Sequence, residues 1–444
     1  MSSSSTRSSG GRPSGEKPTS APRDKSAGGP PAKPALSASL VLLAPLSSRT
    51  SDGFDYRVLL LKRHAKSRTY DSAHVMPGGN IDPIDQDATA WSRFFPSPAH
   101  DFVQQGSDHS RLTAAELQAL KLCALRETFE ESGLLLLEPS DLDTSSSPSP
   151  SGAHTRARGE SASPHDKWAA LSADEKLHWR EEVHRDGRRF VDLLTSLGAN
   201  AKPALNLLTH WSNWVTPTVL PRRFDTHFFI AVLPRAASPL TAVDADRPMH
   251  EALVSSDGVE TTSADWLTPS EGVRRARAYS YNLARGETAA ATTPGDTGDD
   301  TPIILHPPQF NLLAELAQNH RSLASLLDPA RTTSPSSPSD HAPLLVRPRR
   351  IYPFTPQVSA VVDELGRKRR ATVLPGDEVY QYADPADAEL SAPGQRNRTY
   401  VLPPMKGQQG LVVEGCLRRG IVETLGLGWE DMAAGDVGTS AAKL

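Results

Sequence analysis

The stretch "LCALRETFEESGLLLL", residues 122–137, sets Glu127, Glu130 and Glu131 among alanine and leucine. At about 100° per residue, a helix here carries the three carboxylates on one face and the bulky apolar side chains on the opposite face. Like charges at this spacing cost about 0.2–0.5 kcal/mol per pair. Three converging carboxylates form a hard oxygen site that suits Mg²⁺ or Mn²⁺, whereas the simpler alternative is a solvent-exposed acidic face.

Signals on either side of this stretch define a helix. Thr113 is a typical N-cap residue, and Glu116 stands three positions later as its capping-box partner. Gly133 is placed to end the helix. Arg126 precedes Glu130 by four residues and is expected to pair with it, which would steady one carboxylate.

A glycine turn offers a complement to the acidic face. "HVMPGGNID", residues 74–82, reads as a short strand broken by Pro77 and the pair Gly78-Gly79. Glycine lets backbone carbonyls and amides come close to a metal or a phosphate. An acidic helix with such a turn would suit a diphosphate, whose charge a bound metal neutralises during attack by water.

Composition excludes several classes of protein. The net charge of −4 gives no overall basic field, so no nucleic-acid partner is expected. The two cysteines make no disulfide framework, which suits a reducing compartment. The longest early apolar run, "LVLLAPL", is too short to span a membrane, and the first residues lack the apolar middle of a secretory signal. We expect a soluble intracellular protein.

Alternating strand and helix patterns predict an α/β fold with low-complexity interruptions. Strands are predicted at 38–45, 56–63, 74–82 and 216–234, helices from 113 and at 170–198 and 307–319, and a loop followed by a helix at 263–276. The predicted organisation is a disordered tail (1–34), a main domain (36–327) with a disordered insertion (140–167), a low-complexity linker (328–343), a small β extension with a hairpin near Gly366 (344–383), and a β-like segment with a flexible tail (384–444).

"RETFEESGL", residues 126–134, resembles the second half of the Nudix box, G-x5-E-x7-R-E-U-x-E-E-x-G-U, where U is a bulky apolar residue. Thr128 stands at the first U position as a polar replacement. All the fixed positions of this half hold the expected residues in order. The chain is therefore identified as similar to Nudix hydrolases.

The first half of the box departs from the pattern. Counting from Gly79, the position of the first glutamate holds Asp85, and Arg93 is followed by Phe94 instead of glutamate. The box is thus split by an insertion of roughly Ala88–Arg111.

A split box of this kind resembles the Nudix motif 19 type, which cleaves the diphosphate of coenzyme A and its thioesters in peroxisomes. Four further stretches look like that type in the same order: 210–231, 259–272, 306–313 and 374–380. The resemblance implies a Nudix α/β/α sandwich with a mixed central sheet. It also implies hydrolysis of coenzyme A or acyl-CoA to 3′,5′-ADP and (acyl-)4′-phosphopantetheine with Mg²⁺ or Mn²⁺.

The same resemblance assigns roles to residues. Glu130 and Glu131 are expected metal ligands, Glu127 a ligand or the general base, and Gly79 a backbone-carbonyl ligand. Glu260 matches a position where the family often has a further catalytic carboxylate, with a surface glutamate as the equal alternative.

Two arginines are candidate substrate-binding residues. Arg63 could approach the phosphates, and Arg126 is expected above all to orient a glutamate. The alternative functions are a pyrophosphatase for ADP-ribose, dinucleotides or capped RNA, and a degenerate Nudix domain that binds without turnover.

The last three residues, Ala442-Lys443-Leu444, differ from the peroxisomal address Ser-Lys-Leu only at a small first residue. We therefore expect a peroxisomal import receptor as a partner, with a cytoplasmic location as the alternative.

Overall fold

The computed structural model describes most of the predicted main domain and the β extension. The described residues are 31–64, 72–95, 112–138, 162–234, 249–252, 261–286, 301–326, 353–363, 365–382, 391, 393–403 and 411–419. Nearly all of the predicted tail 1–34, the linker 328–343 and the final tripeptide lie outside these ranges.

A mixed sheet forms the centre of the fold. Its strands are β1 Ala35–Pro45, β2 Tyr56–Arg63, β3 His74–Val75, β4 Gly78–Asn80, β5 Thr209–Val215, β6 Phe224–Val232, β7 Met249–Ala252, β8 Thr261–Leu267 and β9 Pro353–Phe354. The order is β7-β8-β2-β1-β6-β5-β9, with β3 paired to β2 and β4 paired to β1. β1 runs parallel to β6, and β5 runs parallel to β9, whereas the other pairs are antiparallel.

Helices cover both faces of this sheet. They are α1 Ala88–Trp91, α2 Ala114–Ser132, α3 Pro164–Ala170, α4 Ala173–Arg185, α5 Arg188–Leu197, α6 Pro269–Ala284, α7 Pro307–Asn319 and α8 Leu323–Leu326. Alternate residues of β1 point to opposite faces. Leu40 packs into the cluster that holds α2, α4 and α5, and Val41 packs into the cluster that holds α6 and α7. The predicted α/β/α sandwich with a mixed sheet is confirmed.

The sequence pattern predicted the bounds of some strands and helices correctly and those of others incorrectly. β2 and α7 have the predicted bounds. The predicted strand 216–234 begins only at Phe224, and 209–215 forms its hairpin partner β5. The predicted loop at 263 is wrong, because 261–267 is strand β8, whose Trp266 pairs with Leu59 of β2. Such long-range pairing leaves no periodic signal in the sequence.

The start of the predicted split-box insertion belongs to the core. Trp91 and Phe94 are buried, and the Trp91 indole Nε1 donates to the Ile84 carbonyl at 2.7 Å. Residues 96–111 lie outside the described ranges. The disordered insertion predicted at 140–167 also ends too late, because Ser163 caps α3, which begins at Pro164.

The C-terminal region forms a second sheet. Its strands, β10 Gln357–Val362, β11 Lys368–Val373, β12 Arg396–Val401 and β13 Val413–Arg419, pair antiparallel in that order. Gly366, with φ of 74°, lies in the predicted hairpin turn. The predicted boundary at 383 divides this sheet, since β12 pairs with β11 through Tyr400 and Ala371.

Buried polar contacts fix the second sheet to the sandwich. Arg418 of β13 pairs with Glu315 of α7 at 3.1 Å, and Glu315 also accepts from the Trp211 indole of β5 at 2.8 Å. The Asn311 amide of α7 donates to the Thr399 hydroxyl of β12 at 2.8 Å. Burial raises the pKa of Glu315, and Arg418 opposes that shift. Within the described ranges, no helix has the length and apolarity needed to cross a membrane.

Candidate active site

The glutamate-bearing helix α2 has the predicted ends. The Glu116 amide donates to the Thr113 hydroxyl at 3.2 Å, and the Thr113 amide donates to the Glu116 carboxylate at 2.7 Å. This reciprocal pair satisfies two of the amides left over at the helix start. Gly133 ends the helix in the left-handed region with φ of 75°.

The acidic face of α2 is buried, which contradicts a solvated acidic helix. The side chains of Glu127 and Glu130 are 15% and 8% exposed, and Glu131 is 5% exposed. The opposite face is buried as well, because Leu122, Leu125 and others pack into the core cluster on that side of the sheet. Buried carboxylates are costly unless hydrogen bonds or cations compensate them.

Arg126 supplies much of this compensation. Its guanidinium forms a bidentate pair with Asp85 at 3.0 and 2.9 Å and bonds to Glu127 at 3.0 Å, to Glu130 at 2.7 Å and to the Asn80 carbonyl at 3.2 Å. Burial lowers the pKa of Arg126, but its carboxylate partners outweigh burial and raise that pKa above the ordinary value.

These contacts correct the assignment of Arg126 as a substrate-binding residue. The residue is 4% exposed and does not line the cavity described below, so it positions the carboxylates instead. The predicted pairing with Glu130 is confirmed.

Asp85 links the two halves of the split box. It closes a capping box with Asp82 on the short 3₁₀ turn Pro83–Gln86, accepting the Asp82 amide at 2.8 Å. Burial raises the pKa of Asp85, and Arg126 opposes that shift. Asp85 is shorter than the glutamate of the box pattern, but it still pairs with Arg126.

The glycine turn lies directly against the acidic face. A Cβ atom at Gly79 would stand 2.5 Å from Cδ of Glu127, so a side chain at residue 79 would displace the carboxylate from its present position. The Gly78 amide donates to Oε2 of Glu131 at 3.0 Å. Burial, and then Glu130 and Glu131, raise the pKa of Glu127 against the opposing effect of Arg126. A raised pKa makes Glu127 a stronger proton acceptor than an ordinary glutamate.

A cavity of about 510 Å³ opens beside these residues. Glu127, Glu131 and Gly79 stand at one edge, together with the predicted phosphate-contacting Arg63, whereas Glu130 does not line it. The remaining lining includes Ser37, Ser39, Trp214, Arg222, Thr226, Phe228, His306, Pro307, Gln309, Pro356, Thr372 and Leu411. The cavity is thus bounded by β1, β4, β5, β6, the start of α7 and the second sheet.

The donor chemistry at the cavity edge fits a hard divalent cation. The carboxylates of Glu127 and Glu131 and the Gly79 backbone carbonyl offer oxygen atoms, which Mg²⁺ and Mn²⁺ prefer. A cation there would offset the burial that raises the pKa of Glu127. Among the described residues, no three His, Cys, Asp or Glu side chains already converge as ligands, since Arg126 holds Glu130.

Glu260 lies outside the described residues, and its catalytic role stays a prediction. Sequence reasoning missed Gln309 and Thr372, both of which line the cavity. The Trp214 side chain contributes to both the core and the cavity lining. The stretch 306–313 carried a family resemblance that pointed to Gln309, but Thr372 stands in an ordinary strand pattern without a signal.

Comparison with known proteins identifies the family of the chain. The family model of the NUDT19 Nudix domain matches residues 35–284. Three proteins named acyl-coenzyme A diphosphatase NUDT19 are similar to the chain. The Xenopus laevis protein is 34% identical over 49% of this chain and 54% of the relative. The Gallus gallus protein is 31% identical over 56% of this chain and 64% of the relative, and the Homo sapiens protein is 30% identical over 50% of this chain and 56% of the relative.

The chain thus spans 54–64% of the length of these curated relatives. A crystal structure of a Nudix hydrolase from Alicyclobacillus acidocaldarius is similar with a TM-score of 0.37 and 21% identity, covering 64% of this chain and 91% of that one. The family match covers strands β1 to β8 of the sheet, the split box and the buried glutamates. The chain belongs to the NUDT19 Nudix domain family.

Proposed function

We propose that the chain hydrolyses the diphosphate of coenzyme A or acyl-CoA to 3′,5′-ADP and (acyl-)4′-phosphopantetheine. The observation that carries the proposal is the pair of buried carboxylates, Glu127 and Glu131, at the edge of a cavity of about 510 Å³. Membership of the NUDT19 family and the names of the relatives support the choice of substrate.

The side chains divide the work of this reaction. Glu127, at the cavity edge, either accepts a proton from the attacking water or acts as a ligand to the cation. The Gly78 amide fixes the orientation of Glu131 at 3.0 Å. Arg63 lies at the cavity lining, where its charge favours a diphosphate. Arg126 keeps Glu127 and Glu130 in place.

Mg²⁺ or Mn²⁺ is the proposed cofactor. Glu127, Glu131 and the Gly79 carbonyl are the groups that would hold it, and Glu130 is a further proposed ligand that would have to exchange its bond to Arg126. When bound, such a cation neutralises charge that develops on the diphosphate.

Turnover of coenzyme A, ADP-ribose and NADH with Mg²⁺ tests the substrate. We expect coenzyme A to have a kcat/KM at least about tenfold above the other two, and Glu131→Gln to lower kcat at least about a hundredfold, as loss of a transition-state charge contact does. Glu181→Gln on α4, outside the cavity lining, is the matched control. A higher kcat/KM for ADP-ribose or NADH would identify that compound as the substrate in place of coenzyme A. No turnover of any of the three would favour a domain that binds without catalysis.

Gly79→Ala tests the metal site without relying on activity. The added Cβ would displace the flexible Glu127 carboxylate, so the melting temperature in EDTA should change little. The rise in melting temperature produced by Mn²⁺ should fall by more than half, because the stabilisation that a ligand gives decreases as its dissociation constant approaches the ligand concentration. Glu127→Gln should lose the same stabilisation. An undiminished Mn²⁺ effect in both variants would remove Glu127 and Gly79 from the site.

We propose a peroxisomal location through an import receptor that reads Ala442-Lys443-Leu444. An N-terminally tagged chain should appear in punctate organelles, and deletion of Leu444 should move it to the cytosol. Puncta that persist after the deletion, or a diffuse signal from the intact chain, would refute this address.

A further inference from the structure

The cavity lining includes buried polar atoms that lack hydrogen-bond partners among the described residues. Nε1 of Trp214, Oε1 of Gln309 and Oγ1 of Thr372 are buried and have no hydrogen-bond partner among the described residues. Thr372 is 0% exposed and Trp214 is 3% exposed. Each such atom costs about 1–3 kcal/mol if it stays unpaired, and such atoms are rare in folded proteins. Because Trp214, Gln309 and Thr372 line one cavity, their hydrogen bonds are left for a molecule in that cavity to supply.

Other contacts bring the elements that carry these residues together. Thr372 of β11 is the cross-strand partner of Thr399 on β12. The Thr399 hydroxyl accepts from Asn311, which stands two residues after Gln309 on the first turns of α7. We call Trp214, Gln309 and Thr372 the polar wall.

The tryptophan side of the polar wall is fixed by ring contacts. Trp214 packs edge-on against Phe354 of β9, with ring centroids 5.1 Å apart. Arg418 of β13 lies over the same Phe354 ring at 5.8 Å. Because Arg418 is also paired with Glu315 of α7, the second sheet, α7 and β5 form one rigid boundary of the cavity.

The chemistry of the polar wall is neutral. An indole N–H donates, a hydroxyl donates or accepts, and a carboxamide offers both kinds of group. Among the described lining residues, the cations are Arg63 at the end of β2 and Arg222 in the β5–β6 turn, and neither belongs to α7 or the second sheet. Burying a phosphate against the polar wall would be unfavourable, because the wall has no cation to compensate its charge. Secondary amides, in contrast, offer donors and acceptors that match those of the polar wall.

We propose that the polar wall binds the amide-bearing pantetheine arm of the substrate, an inference that rests on the proposed function. The family-matched segment 35–284 then supplies the glutamates, and residues beyond it supply recognition of the arm through Gln309 and Thr372. The diphosphate lies at the glutamate edge, and the arm extends toward the second sheet. The second sheet therefore helps to select coenzyme A over diphosphates that lack amides.

Binding of the two halves of coenzyme A tests this placement. 4′-Phosphopantetheine and 3′,5′-ADP are titrated calorimetrically into the full chain with Mg²⁺, and KM and kcat are measured for coenzyme A. Thr372→Val removes the hydroxyl at nearly constant volume. It should raise the dissociation constant of 4′-phosphopantetheine and the KM of coenzyme A about three- to thirtyfold, with kcat and 3′,5′-ADP binding changed less than about twofold.

Stability and companion variants separate recognition from structure. The melting temperature of Thr372→Val should stay the same or rise, because an unpartnered buried hydroxyl is replaced by a methyl group. Thr372→Ser, which keeps the hydroxyl, should recover most of the affinity, and Trp214→Phe should weaken the same ligand. Thr262→Val, an exposed threonine on β8 outside the cavity lining, is the matched control.

Three other results would contradict the proposal, and each would refute a different part of it. Coenzyme A turnover by the wild-type chain with an unchanged KM in Thr372→Val and Trp214→Phe would refute the polar wall alone. Weakened binding of 3′,5′-ADP in place of 4′-phosphopantetheine would assign the wall to the nucleotide. No coenzyme A turnover by the wild-type chain would refute the proposed function and the inference together.

Discussion

The bidentate pair between Arg126 and Asp85 is the interaction on which the site depends. It is buried, and it joins the helix that carries the glutamates to the turn that follows the glycine strand. The same guanidinium bonds to Glu127 and Glu130. Removal of one partner of a buried pair typically costs about 3–5 kcal/mol, so this pair resists separation of the two segments.

A division of labour between two parts of the chain follows from this geometry. The sandwich concentrates buried negative charge at one edge of the cavity, where the glycine turn leaves room for Glu127. Elsewhere β5, α7 and the second sheet line the cavity with the neutral hydrogen-bonding groups of Trp214, Gln309 and Thr372. The pair of Arg418 and Glu315 fixes the second sheet to α7. Charge chemistry and arm recognition thus lie on separate elements that a buried ion pair holds together.

Local sequence was sufficient for features that short-range physics determines. The capping box at Thr113, the end of α2 at Gly133 and the bounds of β2 follow from capping and periodicity. Of the partners of Arg126, only Glu130 could be predicted, because it stands four residues away on the same helix. Asp85 comes close to Arg126 only through tertiary packing. Thr372 could not be predicted at all, because only the docking of the second sheet brings it to the cavity.

The most direct test of the account is kcat for coenzyme A in Asp85→Asn and Asp85→Glu, measured well below each melting temperature. Asp85→Glu restores the acid that the box pattern expects and keeps a charged partner for Arg126. We predict kcat within about threefold of wild type for Asp85→Glu and at least about thirtyfold lower for folded Asp85→Asn, because Arg126 would lose the charged bidentate partner that fixes its position. Wild-type kcat in folded Asp85→Asn would contradict the account.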